Sequence, residues 1–220
     1  MLSQLKSEHR DESELLGDWH PLVDQLGSTH GLVTMSAVSQ VLRLPRVENL
    51  ASLRAFLEGY QTHVLVPIEL AAVQQAYMHA SRHQTRELIE CDQRLACEPV
   101  LHDFADASQR VGQWHLKRFR PMRDLRLVQR YITAVEEGRA FGWHTLVFGL
   151  TVSIYSLPIR QCLVFYERHV LRGFINTASR TLRLRESDCQ VLLHDLTAEL
   201  PANLEGETRE APFETAVERD

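Results

Sequence analysis

The run FGWHTLVFGLTVSIYSL, residues 141–157, decides the fold of this chain. Its second half, TVSIYS, is rich in β-branched residues and suits a buried strand. Two features turn the reading towards a helix. The apolar run from Ala140 to Tyr155 exceeds the roughly four to eight residues of an ordinary strand, and no other segment offers itself as a pairing partner. We therefore expect a buried helix here.

Working outward, apolar residues recur at helical spacing almost everywhere. Beyond Pro158, Leu163, Tyr166, Val170 and Phe174 form one stripe, which Leu171, Ile175 and Ala178 widen. A helix apolar over more than half its circumference belongs at the centre of a bundle. Ser187 and Gln190 read as the capping box of a last helix running to about Leu200. Upstream, Asp124 is placed to cap a helix carrying Leu125, Val128, Tyr131, Ile132 and Val135, with Gly138 to end it. Earlier helices are expected from about Asp103 to Phe119, from Gln84 to Ala96, and from Leu50 to Tyr60 behind the start signals Glu48 and Asn49. Pro67 stands where a first helical turn tolerates proline.

These elements give an all-α chain of eight or nine helices in one domain, residues 16–200. Residues 1–15 are expected to form a flexible head and residues 201–220 an acidic, disordered tail. Small residues punctuate two of the helices. Ser108 and Gly112 lie four apart on one face, and Gly142 with Gly149 lie seven apart, so both pairs invite a close helix crossing.

Composition narrows the function classes. No run of about 18 apolar residues exists to span a bilayer, and the N-terminus lacks the order of a signal peptide. A cytoplasmic protein with reduced cysteines is the expectation. The net charge is −5, from 24 basic and 29 acidic residues, and residues 198–220 alone hold seven acids and two bases. The body is thus neutral, with 22 of each sign, and ill suited to gripping phosphate backbones. A helix-turn-helix regulator, suggested only by the segment at 157–175, fares poorly for the same reason.

Catalytic signatures are scarce. His79 and His83 have i, i+4 spacing, but Ala80 stands where a metalloprotease motif needs Glu. His144 on an apolar helix reads as a core histidine, and no Walker loop, GxGxxG or GxSxG occurs. A helical bundle with a buried His144 or His63 as ligand to a cofactor or metal is the enzyme alternative. We assign no catalytic residue, no cofactor and no metal ligand.

The segment DASQRVGQWHL, residues 106–116, resembles the xAS-xxx-G-xxx-L element of the urease accessory protein UreF family, through Ala107, Ser108, Gly112 and Leu116. Other pieces follow in the family's order. ENLASLRAFLEGYQ resembles its Leu-x-x-Phe-Leu helix, ELIECDQRLACEP the helix before the AS element, and GWHTLVFGL its H-x-x-x-FG element through His144, Phe148 and Gly149. The run 157–184 resembles the long central helix ending at Arg180, and ESDCQVLLHDL the closing helix with Gln190 retained. The N-terminal loop, GSTHGLVTMSAVS, departs most, with Ser28 for Pro, Leu32 for an aromatic and Ser39 for Glu; Glu186 replaces a usual Gln.

The resemblance implies an all-α homodimeric scaffold that binds UreD (also called UreH), recruits the GTPase UreG and docks on apo-urease for nickel insertion. It implies that the scaffold itself is not an enzyme; the neutral body and the lack of a spanning run, not the resemblance, give the expectation of neither nucleic acid nor membrane as partner. It also directs attention to a partner surface at Gly31 and Leu32 in the N-terminal loop, and at Arg180, Arg183, Glu186 and Gln190 around the last turn. The packing motif would be Ala107, Ser108, Gly112, His144, Phe148 and Gly149. A relative that has lost its urease role is the second alternative.

Overall fold

A side chain that must leave water on every face needs neighbours on every face, and the 141–157 run obtains them as a helix. The computed structural model describes residues 29–198. The elements are α1 (Thr29–Val41), α2 (Leu50–Tyr60), a π-helical segment (Gln61–Leu70), α3 (Ala71–Ser81) and α4 (Thr85–Leu95). A 3₁₀ turn (Pro99–Phe104) then leads into α5 (Ala105–Arg118), α6 (Arg126–Glu136), α7 (His144–Ile154), α8 (Ile159–Leu182) and α9 (Glu186–Ala198). No strand occurs among the described residues, and none of their helices is long and apolar enough to cross a membrane.

α7 is the axis. Every residue from His144 to Val152 is buried, and the helix packs most extensively on α3 and next on α5. α8 lies beside it and touches α1, α2, the π segment, α3, α7 and α9. Its expected stripe is buried throughout, from Leu163 to Ala178. Phe174 joins Phe56, Tyr60 and Phe104 in an aromatic cluster with ring centroids 4.9–6.1 Å apart. Edge-to-face pairs of this kind add to the stabilisation from burial alone.

Several local expectations need correction. Gly31 and Leu32 lie inside helix α1, not in a loop. The spacing of Met35 and Val38, both fully buried, gives that segment a helical face to bury. Pro67 sits within the π segment and starts nothing: α2, the π segment and α3 run end to end, with Gln61 and Ala71 both right-handed helical. A wider i→i+5 coil leaves room for a ring that clashes with the preceding turn of an α-helix. The helix after Asp124 begins at Arg126 without a side-chain cap: its N-cap position falls on Leu125, whose side chain has no acceptor, and Asp124 accepts the Arg126 N–H through its backbone carbonyl at 3.0 Å. α9 begins at Glu186, so Ser187 is already helical; its hydroxyl meets Asp188 at 3.3 Å, and Gln190 donates to Glu186 at 3.2 Å. The expected Asp103–Phe119 helix is 3₁₀ up to Phe104 and α beyond.

Asn49 behaves as read. It forms a reciprocal capping box with Ser52, each side chain accepting the other's backbone N–H at 3.0 Å. The expected head at 1–15 and tail at 201–220 lie outside the described residues.

Candidate functional site, a buried polar seam and an exposed helical turn

Gly112 on α5 has no room for a side chain. A Cβ there would stand 2.0 Å from the Gly142 carbonyl oxygen and 2.8 Å from the His144 backbone nitrogen. Gly149 makes the second close approach, with a Cβ 2.3 Å from the Val73 carbonyl oxygen of α3. Both crossings were expected from the small residues, but Gly142 plays a different part. It precedes α7, with φ +74, and forms the surface against which Gly112 packs. That left-handed backbone suits glycine.

The crossing brings the two sequence elements together. Ser108 Oγ lies 2.6 Å from His144 Nδ1 and 3.3 Å from the His144 backbone nitrogen. The other ring nitrogen, Nε2, lies 2.6 Å from the Tyr166 hydroxyl on α8. Tyr166 donates to Glu69 Oε2 at 3.3 Å, and Tyr60 donates to Glu69 Oε1 at 2.8 Å. One assignment satisfies every group: Ser108 donates to Nδ1, the His144 Nε2–H donates to Tyr166, and both tyrosines donate to Glu69. Five buried polar residues thus link α5, α7, α8, the π segment and α2. Phe148 packs on the Tyr166 ring at 5.2 Å, and Ala107 is half-buried on α5.

Electrostatics follow from this depth. Burial, with a smaller contribution from nearby His115, lowers the His144 imidazole to about 3, so it is neutral. Burial raises the Glu69 carboxyl to about 7, against the two tyrosine hydrogen bonds that lower it. A second buried glutamate, Glu167 on α8, is likewise raised to about 7 by burial, opposed by Gln61. Gln61 donates to Glu167 at 2.7 Å and to the Leu196 carbonyl at 3.3 Å, tying the π segment to α8 and α9.

Asp92 on α4 anchors the turn that leads into α7. Its carboxylate accepts the Tyr131 hydroxyl at 2.5 Å and the backbone N–H groups of Phe141 at 2.5 Å and Gly142 at 2.9 Å. Burial raises its pKa while these bonds pull it down.

With both ring nitrogens engaged, His144 offers no lone pair to a cofactor or metal. His63, the other ligand considered, is exposed on the π segment. His79 and His83 do not share a face, because α3 ends at Ser81; His83 turns left-handed with φ 56, and His79 Nδ1 meets Gln84 at 2.9 Å. Among the described residues no three His, Cys, Asp or Glu side chains converge as a metal site would need. The seam joins helices: each of its polar groups is spent on a neighbour from another element.

The residues expected as partner surface lie elsewhere. Arg180, Arg183, Glu186 and Gln190 are all exposed around the α8–α9 turn. Arg183 carries φ 54 at the end of α8, where its N–H and that of Leu184 both reach the Ser179 carbonyl. Gly31 and Leu32 are some 150 residues away in sequence, on α1. Sequence reading missed Tyr60, Glu69, Asp92 and Glu167. The available signal was a carboxylate on an apolar helical face, as with Glu69 between Ile68 and Leu70.

A sequence model described as UreF matches residues 47–197. A urease accessory protein UreF of Actinobacillus pleuropneumoniae serotype 3 (strain JL03) is 22% identical over 190 residues, covering 86% of this chain and 84% of that protein. The corresponding protein of serotype 5b (strain L20) is 21% identical over the same coverage of both chains.

Proposed function

The chain belongs to the UreF family, and from that premise we propose that it serves urease maturation as a scaffold. It binds UreD/UreH, recruits the GTPase UreG and presents both to apo-urease for nickel insertion, in the cytoplasm and as a homodimer. The observation that carries this reading is the convergence of the family-like elements. Ser108 and Gly112 meet His144 and its leading turn in one tight crossing within the matched residues. A fold built around that crossing presents helical faces of fixed geometry, which is what a scaffold needs.

The exposed turn Arg180, Arg183, Glu186 and Gln190 is our choice for the surface that reads a partner, with the α1 segment at Gly31 and Leu32 as a second contact. Arginine forks favour protein interfaces because they pair carboxylates in a planar, bidentate way. Co-expression with UreD and UreG tests the reading. Co-purification of the three, and activation of a co-expressed apo-urease by added nickel, are expected. Three proteins that never associate, with urease left inactive, would remove it.

A further inference from the structure

An open groove of about 320 Å³ runs between α8 and α9. Its floor is apolar, with Ile175, Cys189 and Leu193, and its rim carries Arg168, Arg172 and His194 against Glu186. Arg168 and Arg172 are exposed and stand one helical turn apart on the same face of α8. Neither takes part in a hydrogen bond or ion pair with another described residue. The only acid on α8 is Glu167, which is buried and already bonded to Gln61. The rim therefore presents two guanidinium forks one turn apart beside an apolar floor.

The chain carries a chemically matching segment. Residues 199–220 hold seven acids and two bases, and apolar residues such as Leu204, Phe213 and Val217 are spaced among them. The segment follows Ala198, the last described residue, and His194 on the groove rim lies one turn back along α9. At about 3.3 Å per residue the segment has ample length to cover the groove. A single exposed ion pair is weak, but a covalent tether holds the acids at an effective concentration on the order of millimolar beside the arginines. Nucleic acid is a poorer match, since Glu186 sits on the rim and the body is neutral.

We propose that the acidic segment 199–220 docks in the α8–α9 groove of its own chain, with its carboxylates on Arg168 and Arg172. The groove borders the proposed partner surface through Glu186 and Gln190, but the contact does not depend on the urease reading and its test needs no urease component. Arginine modification by phenylglyoxal, followed peptide by peptide in the full chain, reads it directly. Arg123, exposed in the turn before α6, is the internal reference. At about 20 mM NaCl, Arg168 and Arg172 should react several-fold more slowly than Arg123, and near 1 M NaCl the difference should vanish through screening. The full chain carrying Glu205→Gln, Glu207→Gln, Glu210→Gln and Glu214→Gln should lose the protection at low salt. Equal reactivity of the three arginines at low salt would overturn the proposal. Protection that survives neutralising those glutamates would overturn it too. Protection that disappears on roughly hundredfold dilution would assign the groove to a neighbouring copy and defeat the intramolecular contact.

Discussion

The α5–α7 crossing and the α8–α9 groove are both polar, yet they follow opposite rules. In the crossing, Ser108, His144, Tyr166, Glu69 and Tyr60 each have a protein partner within 3.3 Å. In the groove, Arg168 and Arg172 face solvent with no partner among the described residues. A buried polar group left unmatched costs about 1–3 kcal/mol, so the crossing holds its partners in place as a condition of folding. An exposed guanidinium adds little to stability and is free to serve recognition. The UreF match at residues 47–197 spans both regions. Likeness to a family therefore does not separate architecture from recognition here; burial does.

Breaking the first region should produce the largest effects. Gly112→Ala drives a methyl group into the Gly142 carbonyl and the His144 nitrogen, both backbone atoms that cannot rotate away. We expect a loss of about 3 kcal/mol or more by urea denaturation. Gly149→Ala should behave similarly against Val73. A Gly112→Ala protein with unaltered stability would show that the crossing is looser than these distances say.

The seam also sets a pH dependence with two arms. Glu69 is raised from 4.5 to about 7, so the stability tied to its protonated form is complete below about pH 4.5 and is lost as pH rises through 7. His144 is lowered from 6.5 to about 3, so its contribution is complete above about pH 6.5 and is lost as pH falls through 3. Glu69→Gln should remove the first arm and leave the second. Comparing denaturation at pH 5 and pH 8, the variant should escape about 2–3 kcal/mol of the decline shown by the wild type. Glu167, also raised to about 7, keeps its own share in both proteins. Parallel profiles would show that Glu69 does not carry the alkaline arm. Tyr166→Phe is milder. It keeps the ring packing on Phe148 but strips a partner from both His144 and Glu69, for about 1–2 kcal/mol.

The same contrast explains what the sequence made legible. α7 was readable because length and the lack of a partner strand exclude the alternative, and α8 because its stripe is wide. The close approach at Ser108 and Gly112 followed from residue size alone. The seam was not readable, because its members are distant in the chain: Glu69 and Tyr166 are 97 residues apart. Periodicity registers which face is buried and says nothing about which polar groups will meet there. Pro67 misled because a π coil tolerates what an α-helix rejects. Gly142 misled because its left-handed φ of 74 places it before α7, out of the stripe it seemed to share with Gly149. Of the exposed turn, the residues were readable from the family resemblance, whereas the groove beside them depends on how α9 lies against α8.

The smallest expected change sharpens the comparison most, because its sign is reversed. Arg183 adopts φ 54 at the end of α8, a conformation that costs a residue with a Cβ and costs glycine little. Its side chain is exposed and enters no ion pair among the described residues. Arg183→Gly should therefore raise stability by about 0.5–1 kcal/mol in thermal or urea unfolding. Under the proposed function the same substitution removes one guanidinium from the partner surface and should weaken co-purification with UreD or UreG. A variant that is more stable and binds less well places Arg183 among residues kept for recognition at a cost to the fold. A variant that is more stable and binds equally well removes Arg183 from the partner surface and leaves the recognition to Arg180, Glu186 and Gln190.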